Sequence, residues 1–134
     1  LLNKMQDSAS VEAEGIGQIL AMAGNPNDPV ATAMGRTNVA YQLSVDDPAI
    51  YASAWSDLVN DNRQEGNVSY LSSVFAYGAN PGTHVAINVY SSLGEALSNP
   101  PQTMKGFDVF LKRVSGIRTV EGRVVTTVVG EWRP

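Results

Sequence analysis

The residues of widest chemical scope in this 134-residue chain are His84 and Asn88. His84 is its single histidine. Imidazole is the side chain whose ordinary pKa, about 6.5, lies near neutrality, which makes His84 the first candidate for proton transfer. Asn88 follows four residues later, a spacing that returns to the same face of a strand. Gln42, Tyr77 and Tyr90 are candidates to hydrogen-bond a ligand, and Trp55 to give it an apolar wall or a stacking surface. Each also has an ordinary reading: His84, two residues after Gly82 at a hairpin mouth, as a surface or interface residue, and Trp55 as plain helix-to-sheet core.

Other patterns are explained more simply. Asp46 and Asp47 resemble an acid and base pair, but standing before Pro48 they are accounted for by helix capping. Gly15-Ile16-Gly17 lacks the third glycine and the preceding strand of a dinucleotide fingerprint. Lys112, Arg113, Arg118 and Arg123 form a modest basic cluster, read as a solvated patch that complements a helix terminus, with a phosphate or carboxylate ligand as the alternative. Asn67-Val68-Ser69 matches the glycosylation pattern but lies at a strand start. With no cysteine and one histidine, structural zinc sites, thiol nucleophiles and disulfide frameworks are excluded. No cofactor is implied.

Composition bounds the rest. Hydrophobic content of 43%, charged content of 16% and 12 glycines describe an ordinary globular chain of single-domain length. A net charge of -4 argues against nucleic acid as a partner, since that footprint is normally basic. No run of eighteen apolar residues exists, so no membrane span is expected. The chain starts Leu1-Leu2-Asn3, as a processed or shortened form would, without the pattern of a secretory signal. Absence of cysteine fits either side of a membrane, with the cytoplasm slightly favoured.

The elements that must position these residues follow from periodicity. Residues 11–23 place Ile16, Leu20 and Ala23 at helical spacing with Ser10 as N-cap and Gly24 as stop, which predicts an N-terminal helix and an extended arm over residues 1–36. From Thr37, Val39, Tyr41, Leu43 and Val45 alternate with polar residues as a half-buried strand requires. Asp46-Asp47-Pro48 then opens a helix that ends near Asn62, with Ile50, Ala54 and Leu58 beside Tyr51, Trp55 and Val59 as its apolar face. Strands are predicted over Val68–Tyr77 and Thr83–Tyr90, joined as a hairpin. Ser92-Leu93-Gly94-Glu95 is a capping box opening a short helix that Asn99-Pro100-Pro101 interrupts. A second helical piece carries Met104, Phe107, Phe110, Leu111 and Val114, and a last strand spans Arg118–Trp132, with Gly122 and Gly130 as bulge or bend sites.

The order from Thr37 is strand, helix, strand, strand, helix, strand. This is the α+β, ferredoxin-like βαββαβ arrangement over 37–134: a four-stranded antiparallel sheet with two helices on one face and its first and third strands central. The rows Val39/Tyr41/Leu43/Val45, Val85/Ile87/Val89 and Val124/Thr126/Val128 can face the helices. The open face would then carry Asn38, Gln42 and Ser44, with His84, Asn88 and Tyr90, and with Arg123, Val125 and Thr127. Leu71, Phe75 and Tyr77 can share it.

This order, the passage Asn88-Val89-Tyr90-Ser91-Ser92-Leu93-Gly94-Glu95-Ala96 and the semi-polar open face together resemble the dimeric α+β barrel superfamily, which includes antibiotic-biosynthesis-type and haem-degrading monooxygenases and stress-responsive barrel proteins. The resemblance covers about Thr37 to Trp132. It implies a homodimer with two sheets packed face to face and a pocket between each open face and its helices. It also implies a small-molecule ligand. A cofactor-independent monooxygenase of this kind would hold a small aromatic or apolar substrate, with His84 as base and Asn88 orienting it; the alternative is a non-catalytic ligand-binding or stress-response dimer.

Overall fold

The computed structural model describes residues 14–64, 66–77 and 82–130. The chain runs β1 (Glu14–Ala23), α1 (Pro29–Thr32), β2 (Thr37–Val45), α2 (Pro48–Asp61), β3 (Val68–Tyr77), β4 (His84–Tyr90), α3 (Leu93–Ser98), a 3-10 turn (Pro101–Thr103), α4 (Phe107–Val114) and β5 (Arg118–Thr127). The strands form one antiparallel sheet in the order β1-β3-β4-β2-β5. The fold is therefore α+β, with five strands and four helices among the described residues.

The expected N-terminal helix is corrected to a strand. β1 pairs with β3 from Glu14↔Tyr77 to Ala23↔Ser69, with a register shift between Ile19 and Ala21. A strand with a bulge at Leu20 breaks the two-residue alternation, and the broken pattern imitates helical spacing. Gly24 ends this strand rather than a helix. Its φ is +95°, and a Cβ there would meet the Asn67 carbonyl oxygen at 2.4 Å, so glycine is required for two reasons. Ser10 and the rest of the expected arm before residue 14 lie outside the described residues.

Elsewhere local chemistry places the elements where expected. Asp47 caps α2 by accepting from the Ile50 N–H at 3.1 Å, with Pro48 in the first turn. Ser92 caps α3 by accepting from the Glu95 N–H at 3.1 Å, and Glu95 reaches back to the Ser91 N–H at 3.0 Å. Asn62 closes α2 and ties it to the turn before α4. Its Nδ2 donates to the Leu58 and Lys105 carbonyls, each at 2.8 Å, and its Oδ1 accepts from the Lys105 N–H at 2.6 Å. β5 ends at Thr127, short of the expected Trp132, which lies outside the described residues.

One sheet face carries the main core. Tyr51, Ala54, Trp55, Leu58 and Val59 of α2 and Phe110 and Val114 of α4 pack with Leu43, Val45, Leu71, Ala86 and Ala23. Tyr51 and Phe110 meet edge to face, with centroids 5.9 Å apart. Directly opposed residues of an antiparallel pair share a face, so the register decides which β4 residues join this core. Tyr41 lies opposite Ala86, Leu43 opposite His84 and Val39 opposite Asn88. The row expected under the helices, Val85/Ile87/Val89, is therefore on the other face, where Val89 and Ile87 join Val68, Tyr70 and Ala31 of α1. The β5 rows are exchanged in the same way, since Arg123 and Val125 oppose Tyr41 and Val39. The physical reason is volume: Tyr51, Trp55 and Phe110 fill the layer, so β4 offers the small Ala86 beneath them and sends Val85, Ile87 and Val89 to the other side.

Leu71 is completely buried in this core. Leu71→Ala is expected to lower the free energy of unfolding by about 2–5 kcal/mol, read from the urea midpoint at an unchanged slope. A loss below 1 kcal/mol would contradict the placement of β3 in the sheet.

Candidate functional site

The helix-covered face is not filled along its whole length. A cleft of about 320 Å³ opens between α2, the segment leading into α4, and the sheet. Its floor is Tyr41, Leu43, Ala86 and Asn88; one wall is Tyr51, Trp55, Leu58 and Val59. Pro100, Pro101, Gln102 and Met104 form the other wall with Phe107 and Phe110, and Arg118, Val120 and Arg123 of β5 complete the lining. The prolines that stop α3 hold the 3-10 turn Pro101–Thr103 at this edge, and the chain after it is anchored through Lys105 to Asn62. A second cavity of about 150 Å³ adjoins it and shares Val59, Asn88 and Met104. That smaller space is lined by amides and hydroxyls, including Asn62, Gln64, Asn67, Ser69 and Asn99.

Asn88 stands at the junction. Its Oδ1 accepts from the Ser69 hydroxyl at 2.7 Å, which fixes the amide and leaves its Nδ2 as a donor for a ligand. Beside it, the Asn67 Nδ2 donates to Glu95 at 3.1 Å, while its Oδ1 is buried with no hydrogen-bond partner among the described residues. Burial alone would raise the Glu95 carboxyl, but hydrogen bonds from the Ser91 hydroxyl, the Asn67 amide and the Ser91 N–H outweigh it and hold the pKa below the ordinary value.

The structure brings only some of the sequence-predicted residues together. Asn88 and Trp55 line the aromatic cleft, and Asn88 and Tyr90 line the smaller cavity. Tyr90 is buried against Val39, Ala96 and Tyr41; burial chiefly raises its phenol pKa, Tyr41 and Glu95 add to this, and Arg123 opposes it. Gln42 is on the opposite face, its Oε1 lying 2.9 Å from where a Cβ at Gly122 would be. Tyr77 ends β3, and its side chain lies outside the described residues. His84 shares its face with Asn88 but lines neither cavity. Only 5% of it is exposed, and its Nδ1 hydrogen-bonds the Thr83 hydroxyl at 2.8 Å.

No family model, curated protein or solved structure matches the chain. The site therefore rests on its own geometry.

Several lining residues escaped the sequence reading. Tyr41 and Tyr51 read as core, and Arg118 and Arg123 as a solvated patch with an anionic ligand only as the alternative. Their signal is weak because a spacing of five places two residues on opposite faces of a regular strand. Among the described residues, no cluster of His, Asp and Glu could hold a metal ion.

Desolvation pushes the His84 imidazole below its ordinary pKa. The unfolded chain takes up a proton near pH 6.5, before the folded protein does, so the unfolded state carries more protons in the window just below that pH. The stability contributed by neutral His84 is expected to fall as pH drops below about 6.5 and to level off below the folded value. Urea titrations of wild type and His84→Gln across this window check it; parallel stability curves would contradict it.

Proposed function

We propose that this protein is a homodimeric small-molecule-binding module whose ligand occupies the cleft between α2 and the sheet. The observation that carries the reading is the cleft itself: a concave space with aromatic walls and the positioned amide of Asn88, the usual composition of a ligand pocket. A core completed by packing alone would have closed over Tyr41, Met104 and Phe107, which are only half-buried.

The arrangement from Thr37 to Thr127 supports a ferredoxin-like reading. β2 and β4, the first and third strands of that segment, are adjacent between β3 and β5, and α2 and α4 share the core on one face. β1 is then an added edge strand beside β3. The homodimer is supported by the other face, where Ala40, Gln42, Val85 and Val74 are half-buried and Val124 is 46% exposed. Among the described residues only α1 packs there, at one end. Two such faces packed together would form the barrel of the dimeric α+β superfamily, and an uncovered sheet face with this apolar content is an association surface.

Binding is placed ahead of catalysis because His84 lines neither cavity. A cofactor-independent monooxygenase is the second reading, favoured by one observation: His84, whose imidazole is held below its ordinary pKa by burial, shares its strand face with Asn88. In that reading His84 would serve as base after a local rearrangement that brings it to the cleft.

Saturation-transfer NMR with a panel of one- to three-ring aromatic compounds is expected to detect binding to the wild type and its loss in Val120→Phe, which fills the cleft mouth from an exposed strand position. Binding unchanged by this substitution would contradict the cleft. For the dimer, sedimentation at micromolar concentration should give the mass of two chains for the wild type and of one for Val85→Lys; a wild-type monomer would overturn it.

A further inference from the structure

We infer that the ligand of the cleft is a planar aromatic carboxylate, held at the guanidinium groups of Arg118 and Arg123. This rests on the small-molecule reading above and adds the chemistry of the ligand. A regular strand would place these residues, five apart, on opposite faces. In β5, Gln42 opposes Gly122 while Leu43 opposes Val120, so Glu121 is the extra residue of a bulge. The bulge restores both arginines to one face, Arg118 opposite Val45 and Arg123 opposite Tyr41, and both line the cleft.

Each guanidinium lies over a ring that also lines the cleft. The Arg118 Cζ lies 5.4 Å from the Phe110 centroid, and the Arg123 Cζ lies 5.9 Å from that of Tyr41. The ring contact orients each guanidinium; Arg118 also hydrogen-bonds the Tyr51 phenol, and with five N–H donors per guanidinium a fork remains to match a carboxylate. Among the described residues neither arginine has an ion-pair partner, whereas Arg113 pairs with Asp57 at 2.6 Å. No aspartate or glutamate is found in the lining. In a chain of net charge -4, two such cations in one cleft make a local positive field suited to an anion. The flat walls of Trp55, Tyr41, Phe107 and the two prolines, within about 320 Å³, select an aromatic body of one or two rings.

Isothermal titration of the wild type with naphthalene-2-carboxylate and naphthalene-2-carboxamide separates the charge from the ring. The carboxylate is expected to bind about tenfold more tightly or better, as hydrogen bonds to a charged group imply, and the difference should shrink with added salt. Arg123→Gln, at an exposed position, and Arg118→Gln, checked for folding by circular dichroism, should reduce the preference in one or both variants by weakening the carboxylate more than the carboxamide, whose hydrogen bond to a guanidinium is neutral on its side. Equal affinity for the two probes, or a preference that survives in both variants, would overturn the inference and leave the cleft reading intact. Failure of both probes to bind would overturn the inference and count against the cleft as well.

Discussion

Ala86 lies opposite Tyr41 on β2 and Leu71 on β3, in the middle of the sheet face that α2 and α4 cover. Its small side chain leaves the layer above it free for Tyr51, Trp55 and Phe110. A slip of β4 by one residue would bring Val85 or Ile87 into that position and turn His84 and Asn88 to the opposite face. The register of β4 on β2 is thus the constraint on which core, cleft and open face all depend. The Thr83 N–H, donating to the Leu43 carbonyl at 2.8 Å, and the Thr83 hydroxyl, accepting from the Val45 N–H at 3.0 Å, pin that register at the hairpin end.

With this register the two sheet faces divide the work. The helix side packs large aromatics from the helices on Leu43, Val45, Leu71 and the small Ala86 of the sheet, and near Met104 and Pro101 the packing stops short and leaves the cleft. The other side receives the β-branched residues of β4 and is covered only where Ala31 meets Val68 and Val89. Bulges at Leu20 and Glu121 adjust the edge strands, and the second is what places Arg118 and Arg123 together.

Much of the architecture was legible because its signals are local. The alternation of β2, the Asp47-Pro48 start of α2 and the Ser92/Glu95 cap of α3 each satisfy backbone groups within a few residues, and their boundaries were readable to within one position. What was not legible depends on distant partners. β1 is a strand only because β3 is there to pair with it, and its bulge disguises the alternation. The facing of β4 could not be read from HVAINVY, since either set of alternating residues is apolar enough for a core, and the choice follows from the bulk of Trp55 and Phe110 on other elements. For the site, Asn88 and Trp55 were recoverable as chemistry-bearing types and Arg118 and Arg123 as a basic cluster, whereas their common face with the cleft depends on the exact place of the bulge at Glu121.

The central claim is that small aromatic ligands occupy the space between α2 and the sheet. Backbone amide shifts of uniformly ¹⁵N-labelled protein during titration with naphthalene-2-carboxylate test it most directly. The account predicts that the saturating perturbations cluster at Tyr41, Asn88, Gln102, Met104 and Val120 and spare Ala40, Val85 and Ile87. Perturbations concentrated on Val85, Ile87 and Val124 would instead place the ligand on the open sheet face and contradict it.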